Sequence, residues 1–236
     1  MVDFFQKFDF LGDPYVIRIL GMGLLATLVF SIISVLIGSL LAIVPALMRL
    51  SKKKYLRIPA TVFVDIVRGT PLVVQVLVVY AIIQYARIPS IMFMGVDLGS
   101  IIPGLVGLII NCSAYESEII RAGILAVDKG QTEAARSLGM TKSMTMRRII
   151  LPQAIKNILP AMGNELVTIV KETSIFNFLG IAELMYQINI IKNQNYRILQ
   201  CYIVAGVLYM LITIPLSKLM NYLERRMHRG ETKYSY

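Results

Sequence analysis

The block from Ile19 to Met48 contains no charged residue and is largely apolar. A helix needs only about 20 apolar residues to cross a bilayer, so this block is long enough to span one with tilt or extra turns. The rest of the chain agrees, because only 16% of its 236 residues are charged, against about 25% in soluble domains. The mean hydropathy is +0.68. We therefore predict an integral membrane protein.

Further apolar blocks predict an all-α fold with five transmembrane helices. The spans are expected at about 19–48, 59–85, 98–121, 153–171 and 198–217. The fourth is the weakest by hydropathy, because it contains two asparagines, a proline and Glu165. Residues 173–196 are expected to form a partly apolar exterior loop.

Basic residues predict the orientation of these spans. Seventeen of the 24 Lys and Arg residues fall in the two loops and the tail on one side of the predicted bundle, and six fall on the other. Positive residues collect on the cytoplasmic side. We therefore expect residues 1–18 outside the cell, a permeation domain over 19–220, and a cytoplasmic tail over 221–236.

The largest cytoplasmic feature is then the polar segment 128–150. Asp128 followed by Gln131 resembles a capping box, which predicts a helix start. Gly139 suits the left-handed position that ends a helix. Thr141 can cap a second helix running to Ile150, and Pro152 predicts the next boundary. The expected product is two short helices with a bend at Gly139.

The first of these helices has the composition of a docking surface. Small and apolar side chains at Ala134, Ala135 and Leu138 would let another protein approach closely, and the charges of Glu133 and Arg136 could fix its register. On the helical pattern alone, a loop lying on the membrane surface remains an equal alternative.

The residue spacing then resembles a known family. Permeases of bacterial ABC importers share a cytoplasmic loop written EAA, three residues, Gly, nine residues, Ile, one residue, Leu-Pro. This chain has Glu133-Ala134-Ala135, then Gly139, then Ile149 and Leu151-Pro152 at that spacing. In the family this loop is the coupling helix, which seats in a cleft of the ATPase subunit.

Three further stretches resemble the polar amino acid permeases within that family. They are DIVRGTPLVVQ (65–75), NCSAYESEIIRAGI (111–124) and LPQAIKNILPAMGNELVTIVKETSI (151–175). The resemblance, which extends from Leu20 to Arg226, implies the type I ABC importer permease fold. It assigns ATPase coupling to the following residues: Gln131, Glu133, Ala134, Ala135, Arg136, Leu138, Gly139 and Met140.

The resemblance also implies the partners. These are an ABC ATPase subunit that binds ATP and Mg, a second permease copy or paralogue, an extracytoplasmic solute-binding protein, and an amino acid substrate. This chain itself would bind no cofactor, metal or nucleic acid, would lie in membrane lipid, and would perform no catalysis.

Polar residues inside the predicted spans are candidates for the substrate pathway, because they are costly in lipid. One cluster is Asn111, Ser113 and Tyr115; the other is Asn164, Glu165 and Thr168. Carboxylate, amide and hydroxyl groups could together bind a zwitterionic amino acid. Glu165 has two alternatives, a structural pair with Arg68 or Lys171 and a gating role.

Four other charges are interpreted as structural. Glu118 and Arg121, one helical step apart, are predicted to pair. Asp65 and Arg68 have the same spacing, and can pair with one another or contact the coupling loop.

The sequence also excludes several rival functions. It contains no G-x-x-x-x-G-K-[ST], so it has no P-loop to bind ATP phosphates. The segment Gly21-Met22-Gly23-Leu24-Leu25-Ala26 matches G-x-G-x-x-A. It lies inside an uncharged span, where glycines favour helix packing over a dinucleotide site. His228 is the only histidine, so neither an intramembrane metalloprotease nor a Ser–His dyad can be assembled. Cys112 and Cys201 lie in apolar stretches and predict buried thiols. A channel or passive scaffold would leave the EAA loop without a purpose.

Overall fold

The structure, a computed structural model, describes residues 8–86, 92–93 and 96–228. Within them the chain is helical almost throughout, which confirms the predicted all-α class. The α-helices are α1 (Pro14–Leu50), α2 (Lys54–Gly69), α3 (Leu72–Tyr85), α4 (Leu98–Leu125), α5 (Lys129–Ser137), α6 (Lys142–Thr145), α7 (Leu151–Glu172), α8 (Leu184–Asn195) and α9 (Ile198–His228). Two-residue strands β1 (Met92–Phe93) and β2 (Val96–Asp97) pair antiparallel just before α4, and the sequence did not predict them.

Three helices, α1, α4 and α9, are individually long and apolar enough to span a membrane. Two further spans result if each bent helix pair is counted as one. The first pair is α2 with α3, and the second runs from α6 through α7 to α8. The structure thus offers three to five spans, in keeping with the five predicted.

Helix α1 packs through a stripe of small side chains. Its buried positions recur every three or four residues: Val16, Leu20, Gly23, Thr27, Ser31, Ser34, Gly38, Ala42 and Ala46. A Cβ atom on Gly38 would lie only 2.5 Å from Cβ of Cys112 on α4. Such close approach is how helices associate in lipid, where apolar area alone gives no preference for protein.

The second predicted span is not one helix. The chain leaves α2 at Gly69, and α3 starts at Leu72 with its axis turned by 108°. Pro71 precedes α3 in extended conformation (φ −64°, ψ 137°). A residue before proline avoids the helical region, so Thr70 (φ −119°, ψ 147°) ends α2.

The segment expected as an exterior loop is also mostly helical. A 3-10 helix covers Thr173–Leu179 and ends at Gly180, whose φ is 72°. The carboxylate of Glu183 then accepts bonds from the backbone N–H groups of Met185 (2.9 Å) and Tyr186 (2.7 Å), which caps α8. One face of α8 is buried, because Leu184, Ile188 and Ile191 pack between α1 and α9.

Candidate functional site

The predicted coupling segment has the local geometry expected from its residues. Asp128 caps α5 by accepting a bond from the N–H of Gly130 (2.7 Å). Gly139 has φ 81°, which confirms the left-handed position. The N–H of Met140 bonds to the carbonyl of Ala135, and the N–H of Gly139 bonds to that of Arg136, both at 3.1 Å. This pair of bonds is a Schellman motif, and it fixes the bend.

The outward face of α5 differs from the expected one at a single residue. Leu138 is 84% exposed, and Glu133, Ala134 and Gln131 are also exposed. Ala135, by contrast, is only 5% exposed, because α5 packs on the helical turn that follows α6. The expectation that Ala135 faces a partner is therefore wrong. Its small side chain lets α5 lie close to its own chain.

Beyond the bend, the helix continues without a break into the membrane span. Thr141 accepts a bond from the N–H of Met144 (3.2 Å), which starts α6 as predicted. The chain then passes through a π-helical turn, Met146–Ile150, directly into α7. The boundary expected at Pro152 is a change of helix type and not a helix end. The wider turn before it accommodates proline, which has no backbone N–H to donate. The residues after the bend, from Lys142 to Glu172, thus form one continuous helix.

The break between α2 and α3 is held by one amide side chain. The Nε2 group of Gln75 donates to the carbonyl oxygens of Val67 (2.6 Å) and Thr70 (2.9 Å), which are left without partners where α2 ends. Its Oε1 accepts a bond from Nδ2 of Asn111 on α4 (3.0 Å). Gln75 was not singled out in the sequence, although it closes the first amino acid permease motif.

The polar residues of α4 are thereby mostly engaged within the protein. Asn111 is buried and bonded to Gln75, and the hydroxyl of buried Ser113 donates to the carbonyl of Ile110 (2.7 Å). The ring of Tyr115 lies under the guanidinium of Arg68, 5.2 Å from its centre. Asn111 and Ser113 are thus buried and bonded within the protein, and Arg68 covers one face of the Tyr115 ring.

The polar face of α7 does reach a cleft. A space of about 530 Å³ opens between the start of α3 and the end of α7. Pro71, Leu72 and Val73 form one wall. Thr168, Lys171 and Glu172 provide a hydroxyl, an ammonium and a carboxylate on the other wall. No side chain caps α3; the N–H groups of Val74 and Gln75 bond to the carbonyl of Pro71, and among the described residues those of Leu72 and Val73 have no partner and can bind a ligand.

Glu165 lies half-buried on α7, one turn before Thr168, and Asn164 is exposed. Lys171 and Glu172 were not predicted as site residues. The spacing of Glu172, four residues after Thr168, would have placed it on the same helix face.

Of the four charges interpreted as structural, two belong to an ion-pair network and two do not pair with each other. Glu118 binds Arg121 as predicted, and it also binds Arg49 at the end of α1. Asp65 and Arg68 form no ion pair with each other in the described part of the chain, so the alternative in which they pair is wrong. Within the same residues no three histidine, cysteine or acidic side chains are placed as metal ligands would be.

Known proteins are similar to this chain in sequence and in fold. Residues 34–229 match the family described as binding-protein-dependent transport system inner membrane component. The chain is 37% identical over 205 residues to the putative glutamine transport system permease protein GlnP of Rickettsia bellii, covering 87% of this chain and 91% of that protein. It is 38% identical over 208 residues to the probable glutamine ABC transporter permease protein GlnM of Bacillus subtilis, covering 88% and 93%.

Among solved structures, the chain is similar to that of an amino acid ABC transporter with histidines. The TM-score is 0.83 at 43% identity, over 92% of this chain and 98% of that chain. Sequence and fold therefore match along nearly the whole length. The chain belongs to the family of inner membrane components of binding-protein-dependent transport systems.

Proposed function

We propose that this chain is the membrane-spanning permease subunit of an ABC importer for polar amino acids. The observation that carries the proposal is the continuous helix from the bend at Gly139 to the cleft beside Glu172. It joins a surface suited to docking a motor to the open polar cleft between α3 and α7. The amino acid transporters named among its relatives support the substrate class.

The partners follow from this role. A separate ATPase subunit binds ATP and Mg and docks on the exposed face of α5, which presents Gln131, Glu133 and Ala134 and ends at Leu138. An extracytoplasmic binding protein delivers the solute. A second permease, identical or not, completes the pathway. Residues 1–18 lie outside the cell, and the tail 221–236 lies in the cytoplasm.

The cleft between α3 and α7 is suited to a zwitterion. The free N–H groups at the start of α3 carry the positive end of the helix dipole and would bind the substrate carboxylate. Glu172, which lines the cleft, would bind the ammonium group, and Glu165, two turns away on α7, would add negative charge. Discontinuous membrane helices bind substrates in this way in other transporters. Asn111 would act indirectly, by holding Gln75 and the break in place.

Uptake by reconstituted vesicles tests the function. The chain would be co-purified with its ATPase and binding protein, and uptake of labelled glutamine and arginine would be measured with and without ATP, with leucine as the apolar control. We expect ATP-dependent uptake of a polar amino acid. Uptake at the same rate with and without ATP would favour a channel. No uptake by a complete complex would overturn the proposal.

Glu165→Gln, compared with a control variant, separates substrate binding by Glu165 from a structural ion pair. If it binds substrate, Glu165→Gln lowers uptake while assembly and ATP hydrolysis persist. If it only pairs with a cation, the same variant lowers the thermal stability of the complex and leaves substrate affinity unchanged. Glu224→Gln, on the last turns of α9 outside the cleft, is the matched control and should behave as the wild type in uptake.

A further inference from the structure

The 3-10 helix that follows α7 divides its side chains between the core and the cleft. Such a helix has three residues per turn, so residues three apart lie on one face. Thr173, Phe176 and Leu179 are all buried and form its inner face. Ile175 and Phe178, also three apart, line the cleft between α3 and α7. We call these two side chains the apolar face of the cleft.

The backbone of this 3-10 helix is anchored to the bundle. The ring of buried Phe176 packs edge-on against Phe30 of α1, with 5.5 Å between the ring centres. The Nδ2 group of Asn189 on α8 donates to Oδ1 of Asn177 (3.0 Å). The ring of Phe178 is nevertheless 68% exposed. A large aromatic ring is thus held beside the cleft by a fixed backbone and stays open to contact.

The apolar face belongs to the same space as the polar groups of α7. The cleft has a volume of about 530 Å³, within the range of about 300–1,000 Å³ found for small-molecule sites. Lys171, Glu172 and the hydroxyl of Ser174 line it together with the apolar face. An acyl chain in this space would leave the charged groups without partners, which is costly. A small molecule with a zwitterionic head and an apolar stem would satisfy both kinds of lining.

The head of an amino acid uses all the charges that line the cleft. Among the described residues, the charged side chains lining it are Lys171 and Glu172. Lys171 and the start of α3 attract the substrate carboxylate, and Glu172 attracts the ammonium group. Glu165 lies about 10 Å before Glu172 along α7, on the side away from Ile175. A charged substrate side chain on the apolar face would therefore have no partner.

We propose that Ile175 and Phe178 determine which amino acids the cleft accepts, by packing against the substrate side chain. This inference rests on the proposed function and deepens it. The favoured substrate has an uncharged side chain with an apolar stem and a polar end, as glutamine has. The stem lies on the ring of Phe178. The polar end bonds to the hydroxyl of Ser174, which makes no hydrogen bond in the described part of the chain.

Equilibrium binding to the permease–ATPase complex in nanodiscs tests the role of the ring. The binding protein is left out, because it has a substrate site of its own. Radiolabelled glutamine is compared with alanine, which has the same head but no stem. We expect Phe178→Ala to weaken glutamine binding about tenfold, since contact with about two methylene groups is lost, and to leave alanine binding unchanged.

Two further variants complete this comparison. Phe178→Leu keeps an apolar side chain and should retain most of the affinity for glutamine. Ile82→Ala is the matched control, because Ile82 is exposed on α3 but does not line the cleft. It should bind both amino acids as the wild type does. Equal loss of glutamine and alanine binding in Phe178→Ala, or no loss of either, would overturn the role of Phe178.

Charged amino acids test the substrate class. Glutamate has nearly the shape of glutamine, and lysine has a longer stem with a cation at its end. Each should bind the wild type at least about tenfold more weakly than glutamine. Binding of either as tightly as glutamine would overturn the preference for an uncharged side chain. ATP-dependent uptake by the same complex with its binding protein measures the proposed function separately, so that function can stand where the apolar face fails.

Discussion

Two glutamates in α4, two residues apart, have opposite surroundings. Glu116 is fully buried, and both its carboxyl oxygens lack a hydrogen-bond partner among the described residues. Ser39 lies beside it, but the Ser39 hydroxyl donates to the carbonyl of Val35 (2.7 Å). Glu118 instead binds both Arg49 and Arg121. Removing a carboxylate should therefore help at one position and harm at the other.

We expect Glu116→Met to raise the free energy of unfolding of the purified complex by about 1 kcal/mol, because a buried polar group without a partner costs about 1–3 kcal/mol. Glu118→Gln should lower it by about 1–2 kcal/mol, since two guanidinium groups lose their partner. Thermal unfolding measures both. If Glu116→Met unfolds normally but abolishes uptake, Glu116 serves transport and not packing alone.

The coupling bend depends on one backbone conformation. Gly139 has φ 81° with no atom near its Cβ position, so the barrier to a side chain there is conformational, not a matter of space. A branched residue in that conformation costs about 1–2 kcal/mol. Gly139→Val should therefore turn the face that bears Leu138 and weaken ATPase binding. Pull-down of the ATPase by membranes holding the variant measures the loss.

Asparagine tolerates the left-handed conformation, so Gly139→Asn should bind the ATPase nearly as well as the wild type. Ala135→Asp should also weaken binding, but for a reason the sequence did not suggest. Its carboxylate would be buried against its own chain, which destabilises the whole segment. Normal pull-down and uptake in both Gly139→Val and Ala135→Asp would show that this segment is not the docking element.

The N-terminal 3-10 helix, Asp9–Gly12, is tied to the start of α9 by the Asp9–Arg197 pair. The hydrogen bond from Arg197, helped by its charge, lowers the pKa of Asp9 below its usual value. The stabilisation is therefore present at neutral pH and is lost as the pH falls through the lowered pKa. A spin label at Gly12 should become more mobile in that acidic range, and in Asp9→Asn it should be mobile at every pH.

The proposed orientation of the whole molecule is testable with introduced cysteines. Gln194 is exposed next to the turn between α8 and α9, and Lys142 is exposed at the start of α6. Gln194→Cys should react with an impermeant thiol reagent applied outside intact cells, and Lys142→Cys should not. Both native cysteines are fully buried and give little background. The reverse labelling pattern would invert the topology.

Local chemistry made much of this molecule predictable. The cap at Asp128, the left-handed Gly139 and the family follow from residue types at fixed spacing. The break before Pro71 could not be predicted in this way, because hydropathy is averaged over a window of residues. The amide of Gln75 also stabilises the break from several residues away. The burial of Ala135 was equally hidden, since the helical pattern gives a face but not which neighbour covers it.

The π-helical turn at Met146–Ile150 makes chain length adjustable at one place in the helix. A π turn holds one more residue than a regular turn, so loss of one residue there would restore a plain α-helix. Because the wide turn absorbs the extra residue, α5 and its bend would keep nearly the same direction around the axis of α7. A deletion elsewhere in the continuous helix would instead rotate them by about 100°. Permeases that differ by one residue within this helix should therefore be interchangeable on one ATPase only where the difference lies in this turn.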